Sequence, residues 1–224
     1  MHAPPEEKEI RVSLILIAHN NTDRFKVRLE RDVFPTIVAH SAWKFQMIVI
    51  DNSDADKKPA YDVLNADNFE HVYSWSGSNI MYGPAMNKAV AMTSHPLVVY
   101  VCSNHGRMYD PTWIDDLVNP IITNPKIAMT GSHYPSCHPT ALGFPSHLPQ
   151  MHIQGGVFGA RTEALVACPY TNDQRYIHWG SDVYQGFQLL NAGFQLHHVN
   201  TINSVWRQCI SSPEQWKYVH DYSE

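Results

Sequence analysis

Residues 96–105, PLVVYVCSNH, constrain the fold more than any other stretch of this chain. Five apolar residues in succession, three of them valine, stand between Pro96 and the polar Ser103, Asn104 and His105. The run is short for a helix and has the β-branched and aromatic bias of a strand covered on both faces, which places it at the centre of a parallel sheet. Ligands of open α/β sheets sit beyond the carboxyl ends of the strands, so the abrupt change to Cys102-Ser103-Asn104 marks a candidate ligand edge.

The flanking sequence alternates between strand and helix patterns, the order of an α/β/α sandwich with a mostly parallel sheet in one domain. Strands are expected over 10–18, 45–50, 70–75, 97–101, 127–130, 153–160 and 194–199. Helices are expected over 24–42, 56–66, 83–93, 111–122, 161–167 and 182–191. Pro35 should kink the first helix or restart it. Pro84 suits a first helical turn, where a missing N–H costs nothing. The glycine pair Gly155-Gly156 falls inside the strand expected at 153–160, where it signals a bulge or a close backbone approach. Residues 133–150 carry four prolines and no periodicity, which reads as a long loop of the lid or binding kind. Residues 1–9 read as a loose tail, 10–210 as the domain, and 211–224 as a tail or short helix.

Composition narrows the function classes. At 224 residues with 44% hydrophobic and 17% charged side chains, the chain is globular and sized for one core. A net charge of −5 without a basic run argues against a nucleic-acid polymer as partner. No segment has the apolar length of a membrane span and no signal peptide is recognisable, so a cytoplasmic location is the default expectation. Four cysteines, Cys102, Cys137, Cys168 and Cys209, form no C-x-x-C pair and read as reduced thiols. His133, Cys137, His138, His147 and His152 match no zinc spacing.

Three strand exits share a polar pattern: Ala18-His19-Asn20, Asp51-Asn52-Ser53 and Cys102-Ser103-Asn104. Neighbouring strands would line one crevice with them, an Asp accepting from a base N–H and Asn and Ser serving ribose hydroxyls. For Asp51 the competing reading is an Asx turn that caps the loop. Asn79, Gly83, Asn87 and Lys88 surround the start of a helix, a place that favours phosphate. Lys88 alone would equally suit a solvated helix face. Trp179-Gly180-Ser181-Asp182 precedes the last helix. Asp182 there could take a proton from a hydroxyl, or form a capping box with Gln185.

Together these pieces resemble the inverting GT-A glycosyltransferases of the large family-2 type. VSLILIAHN (12–20) is similar to that family's opening strand and turn, MIVIDNSD (47–54) to its second strand, and SNIMYGPAMNKA (78–89) to its phosphate-side segment. DPTWIDDLVNPIITNPKIAMTGS (110–132), GGVFGARTEAL (155–165) and WGSDVYQGFQLLNAGFQLHHV (179–199) resemble its later segments in the correct order. The resemblance implies a nucleotide-sugar donor, most often UDP-linked, and a glycan or other hydroxyl acceptor. It implies Asp51 at the base and Asp182 as general base. Ala18, His19, Asn20, Asn79, Asn87, Lys88, Cys102, Ser103 and Asn104 would lie on the nucleotide side. Gly155, Gly156, Trp179, Gly180 and Ser181 would lie beside the donor or acceptor sugar, with residues 133–150 and Trp179 meeting the acceptor.

Three departures stand out. Where the family carries Asp-x-Asp, this chain has Cys102-Ser103-Asn104; the Glu before the general base is Ser181; and a His expected after the last strand is replaced by Ser204-Val205-Trp206. Neutral Asn is a poor ligand for Mn2+ or Mg2+, so no metal ligand is assigned and metal dependence should be weak. Lys88, Arg107 or the helix starting near Pro84 would then stabilise the leaving group. A non-catalytic nucleotide- or carbohydrate-binding relative and a nucleotidyltransferase are the competing readings.

Overall fold

Leu97–Val101 is buried at every position and forms β4, the middle strand of a seven-stranded sheet in this computed structural model. The structure describes residues 9–57, 70–102, 108, 110–131, 152–174, 176–177 and 180–199. The other strands are β1 (Arg11–Ala18), β2 (Lys44–Asp51), β3 (Glu70–Trp75), β5 (Ile127–Gly131), β6 (Val157–Arg161) and β7 (Gln195–His198). Their order is β3-β2-β1-β4-β6-β5-β7. All neighbouring pairs are parallel except β4–β6 and β5–β6, because β6 runs against both its neighbours.

Period-two alternation gives each strand two apolar faces and the sheet two cores. Leu14, Leu16, Val99 and Val101 point to one side. There they meet Phe25 of α1 (Thr22–Arg28) and Trp113, Ile114, Leu117 and Ile121 of α4 (Trp113–Thr123). Ile15, Ile48, Val98 and Tyr100 face the other side. They pack on Ala85, Met86 and Ala89 of α3 (Tyr82–Ala91), Leu165 of α5 (Thr162–Ala167) and Leu189 of α6 (Ser181–Asn191).

The helix expected over 24–42 is interrupted. Residues Leu29–Val33 form a π-helical turn before α2 (Phe34–Ala39), and the Phe34 N–H donates to the Leu29 carbonyl. Pro35 has no N–H to continue the α-helical ladder, so the restart falls next to it. The wider turn buries Arg28 and Asp32, 1% and 2% exposed, as an ion pair. Arg31 joins the same carboxylate at 2.9 Å, and the Met108 N–H donates to Asp32 Oδ1 at 3.2 Å. Burial lowers the Arg28 pKa and the Asp32 charge opposes that shift.

Two further expectations are corrected. The strand placed at 153–160 begins at Val157, and Gly155-Gly156 form the turn before it. The Gly155 N–H is given to Asp182 instead of to a neighbouring strand. The capping box of Asp182 with Gln185 does not form: Gly180 is the N-cap, and buried Gln185 donates to the Cys168 carbonyl at 2.6 Å. Residues 1–8 of the first tail, the domain end at 200–210, the tail at 211–224, the loop at 133–150 and nearly all of the helix at 56–66 lie outside the described residues.

At the end of α6 the Gly193 N–H donates to Leu190 O and the Phe194 N–H to Leu189 O, a Schellman closure with Gly193 at φ 86°. Gly193→Ala should cost about 1–2 kcal/mol in urea unfolding, the left-handed backbone penalty alone. No atom lies within 4 Å of the added methyl. Asp32→Ala removes the carboxylate partner of a buried guanidinium and should cost more, about 3–5 kcal/mol by the same measurement.

Candidate functional site

Parallel alignment brings the predicted strand exits to one edge. Ala18 is in register with Asp51, and the Asn52 N–H donates to the Ala18 carbonyl at 2.8 Å. Asp51 and Cys102 are two strand positions apart, about 10 Å across the sheet. Because β6 is antiparallel to β4, its beginning meets the same edge, and the Cys102 N–H donates to Gly156 O at 2.8 Å. From there the Gly155 N–H reaches Asp182 Oδ2 at 3.0 Å, while the Val183 N–H holds Oδ1 at 2.9 Å. Asp51 and Asp182 therefore lie on one edge of the sheet. Ser103, Asn104, Arg107 and Trp179 are outside the described residues.

The nucleotide-side residues are largely tied to one another. Asn20, at φ 49°, donates its N–H to Ser53 Oγ at 3.0 Å, and its side chain pairs with Asp54 at 2.7 and 2.9 Å. His19 is exposed beside it. Fully buried Asp51 forms the Asx turn, accepting the Ser53 N–H at 2.9 Å, and also accepts the Tyr73 hydroxyl at 2.7 Å. Asn79 Oδ1 accepts from Asn52 Nδ2 at 3.3 Å and from the Met81 N–H at 2.8 Å. Those bonds hold Met81 at φ 69° as α3 begins, a strained backbone that sits at the site edge.

Asn87, Lys88 and the start of α3, expected on the phosphate side, are placed as follows. Asn87 pairs through both ends of its amide with the Tyr170 backbone, at 2.9 and 2.8 Å, and so clamps the segment after α5 onto α3. Lys88 lies in the last turn of α3, six residues past Tyr82 and so about 9 Å along the axis from the helix start. The start of α3 is covered by its own chain: the Gly83 N–H donates to Ile177 O at 3.0 Å, and a Cβ at Gly83 would stand 2.7 Å from Thr171 O.

Beneath Asp182 lies a cluster absent from the sequence-based assignment. Tyr82 meets Tyr170 edge-on at 5.5 Å and Tyr100 at 5.7 Å. Burial raises all three phenol pKa values above the ordinary value, so they remain neutral hydroxyls. The Tyr82 and Tyr170 hydroxyls approach one another without a well-formed hydrogen bond. Asn52 Oδ1, Gln154 Oε1 and Ser181 Oγ are likewise buried without partners. Each such atom costs about 1–3 kcal/mol, and all five belong to residues around this edge. No local pattern marks Tyr82 or Tyr170 for such a role, because their ring contacts join segments far apart in the sequence.

The β4 exit stands where the resemblance would seat a divalent cation. Cys102 is a soft thiol packed against the apolar cluster beside Tyr100, and no group of three His, Cys, Asp or Glu side chains converges among the described residues. Among the described residues, the Cys102 thiol is a soft donor that suits Mn2+ or Mg2+ poorly.

No family model matches the sequence, and no curated protein matches it either. Solved structures do. A mannosyltransferase from Pyrobaculum calidifontis in complex with GDP-Man and Mn2+ superposes with a TM-score of 0.62 at 13% identity, over 88% of this chain and 56% of that one. This chain thus spans little more than half the length of that enzyme. Glucosyl-3-phosphoglycerate synthase from Mycobacterium tuberculosis, with Mn2+, UDP and glucosyl-3-phosphoglycerate, gives 0.60 at 16% identity over 94% and 84%. Mannosyl-3-phosphoglycerate synthase from Rubrobacter xylanophilus gives 0.55 at 18% over 85% and 66%. Strand order, the reversed β6 and these superpositions together establish that the chain has the GT-A fold of nucleotide-sugar glycosyltransferases.

Proposed function

We propose that this protein is an inverting glycosyltransferase that moves a hexose from a nucleotide-sugar donor, UDP-linked by the family resemblance, to a hydroxyl acceptor. The observation that carries the reading is the position of Asp182. It is an anchored carboxylate at the ligand edge of a GT-A sheet, bordered by buried polar atoms that lack partners. A bound sugar with its many hydroxyls would supply those partners. The structural neighbours carry GDP-Man and UDP-Glc, which supports the donor class.

In this reading the strand exits of β1, β2 and β4 hold the nucleotide; Asp51, buried in its own turn and bonded to Tyr73, shapes the base side, and Asn52 lies on the ribose side. The acceptor hydroxyl donates to Asp182, whose oxygens each retain a lone pair beyond their backbone bonds. As the proton passes to the carboxylate, the acceptor oxygen attacks the anomeric carbon and the nucleotide diphosphate leaves from the opposite face with its electron pair. The transition state has oxocarbenium character. Lys88, Arg107 or the helix start near Pro84 would stabilise the leaving group. A thiol at 102 and a neutral amide at 104 are poor donors for the Mn2+ that the neighbours hold, so no step is routed through a metal. Binding of sugar nucleotides without turnover would instead mark a non-catalytic relative, the reading that the missing carboxylates at 102 and 104 favour.

Incubation with UDP-, GDP- and dTDP-sugars should release free nucleotide. Asp182→Asn should slow that release about 10²–10⁴-fold, the typical contribution of a general base, while calorimetry shows donor binding retained. Release should persist in EDTA, and strict dependence on added Mn2+ or Mg2+ would overturn the metal-independent assignment.

A further inference from the structure

The hydrogen bond from Gly155 to Asp182 joins two elements distant in sequence, the turn before β6 and the first turn of α6. The turn is itself pinned to the middle of the sheet, because the next residue, Gly156, accepts from the Cys102 N–H. The Asp182 carboxylate is thereby referenced to β4, the strand on which the nucleotide side is built. We propose that Gly155 is a positioning residue for the transfer reaction: its N–H sets the direction of the Asp182 carboxylate, and Tyr82 is the wall that restricts this position to glycine. The inference rests on Asp182 being the general base.

Position 155 requires glycine for space. Its φ is not among the positive values of the chain, so an alanine could adopt the same backbone. A Cβ there would stand 3.0 Å from the Tyr82 hydroxyl oxygen, 3.3 Å from Tyr82 Cζ and 3.4 Å from Asp182 Cβ. Tyr100 and Tyr170 meet its ring edge-on at 5.7 and 5.5 Å, which limits how far the phenol can move aside. The strain of a methyl group is therefore passed to the Gly155 turn and to Asp182. A shift of 1 Å in a catalytic group can cost about 100-fold in rate. Removing the Tyr82 oxygen removes the atom that the methyl meets first.

The test is a double-mutant cycle on nucleotide release with Gly155→Ala, Tyr82→Phe and the double variant, alongside nucleotide affinity by calorimetry and thermal unfolding. Gly155→Ala should lower kcat roughly 10- to 100-fold, with the donor KM and the UDP or GDP affinity changed less than about two-fold. In the Tyr82→Phe background the same substitution should cost at least about ten-fold less, a coupling expected for residues in contact. A wild-type protein that releases no nucleotide from any sugar donor would overturn the functional reading and this inference with it. An active wild type with an unimpaired Gly155→Ala variant would overturn the inference alone. So would equal losses in both backgrounds, or a loss expressed in donor KM, nucleotide affinity or unfolding temperature.

Discussion

β6 runs against β4, and the site depends on that reversal. In a fully parallel sheet the carboxyl edge receives only strand ends, and residues preceding a strand lie at the opposite edge. Reversing β6 brings its entrance, Gly155-Gly156, to the edge where Ala18, Asp51 and Cys102 already stand. Alpha6 can then engage this edge through Asp182, using a backbone N–H that the strand ladder leaves spare. Without the reversal, the carboxylate and the nucleotide side would have no common frame.

The rest of the fold is ordinary in its energetics and unusual at this edge. Both faces of the sheet are covered by apolar helices, and the buried Arg28–Asp32 pair is compensated by Arg31 and the Met108 N–H. Near Asp182 the pattern changes. Met81 carries a positive φ, and the side-chain oxygens of Asn52, Tyr82, Gln154, Tyr170 and Ser181 lack partners. A bound ligand that completed this hydrogen bonding would account for these unpartnered oxygens.

Much of the architecture was legible because it depends on periodicity. The 97–101 and 70–75 strands lie where alternation and β-branching place them. The restart at Pro35 follows from its missing N–H. The site was legible as a set of polar strand exits, and less so as a set of roles. Asn87, Lys88 and the start of α3 look like a phosphate cradle in sequence because they adjoin a glycine and a proline. In three dimensions Tyr170, Ile177 and Thr171 approach from segments more than eighty residues away and occupy Asn87 and the Gly83 end of α3.

The sequence by itself determined the order of strands and helices, the central place of the 97–101 run and the polar character of the strand exits, since these depend on nearest-neighbour chemistry and repeat. Tertiary structure alone decided which polar groups remain available. Asp51 closes its own turn and binds Tyr73, Asn87 is held by the Tyr170 backbone, and Asp182 is aimed by a glycine with a tyrosine against it. Hydrogen bonds between residues far apart along the chain are satisfied only once the sheet has formed, so no local pattern records them.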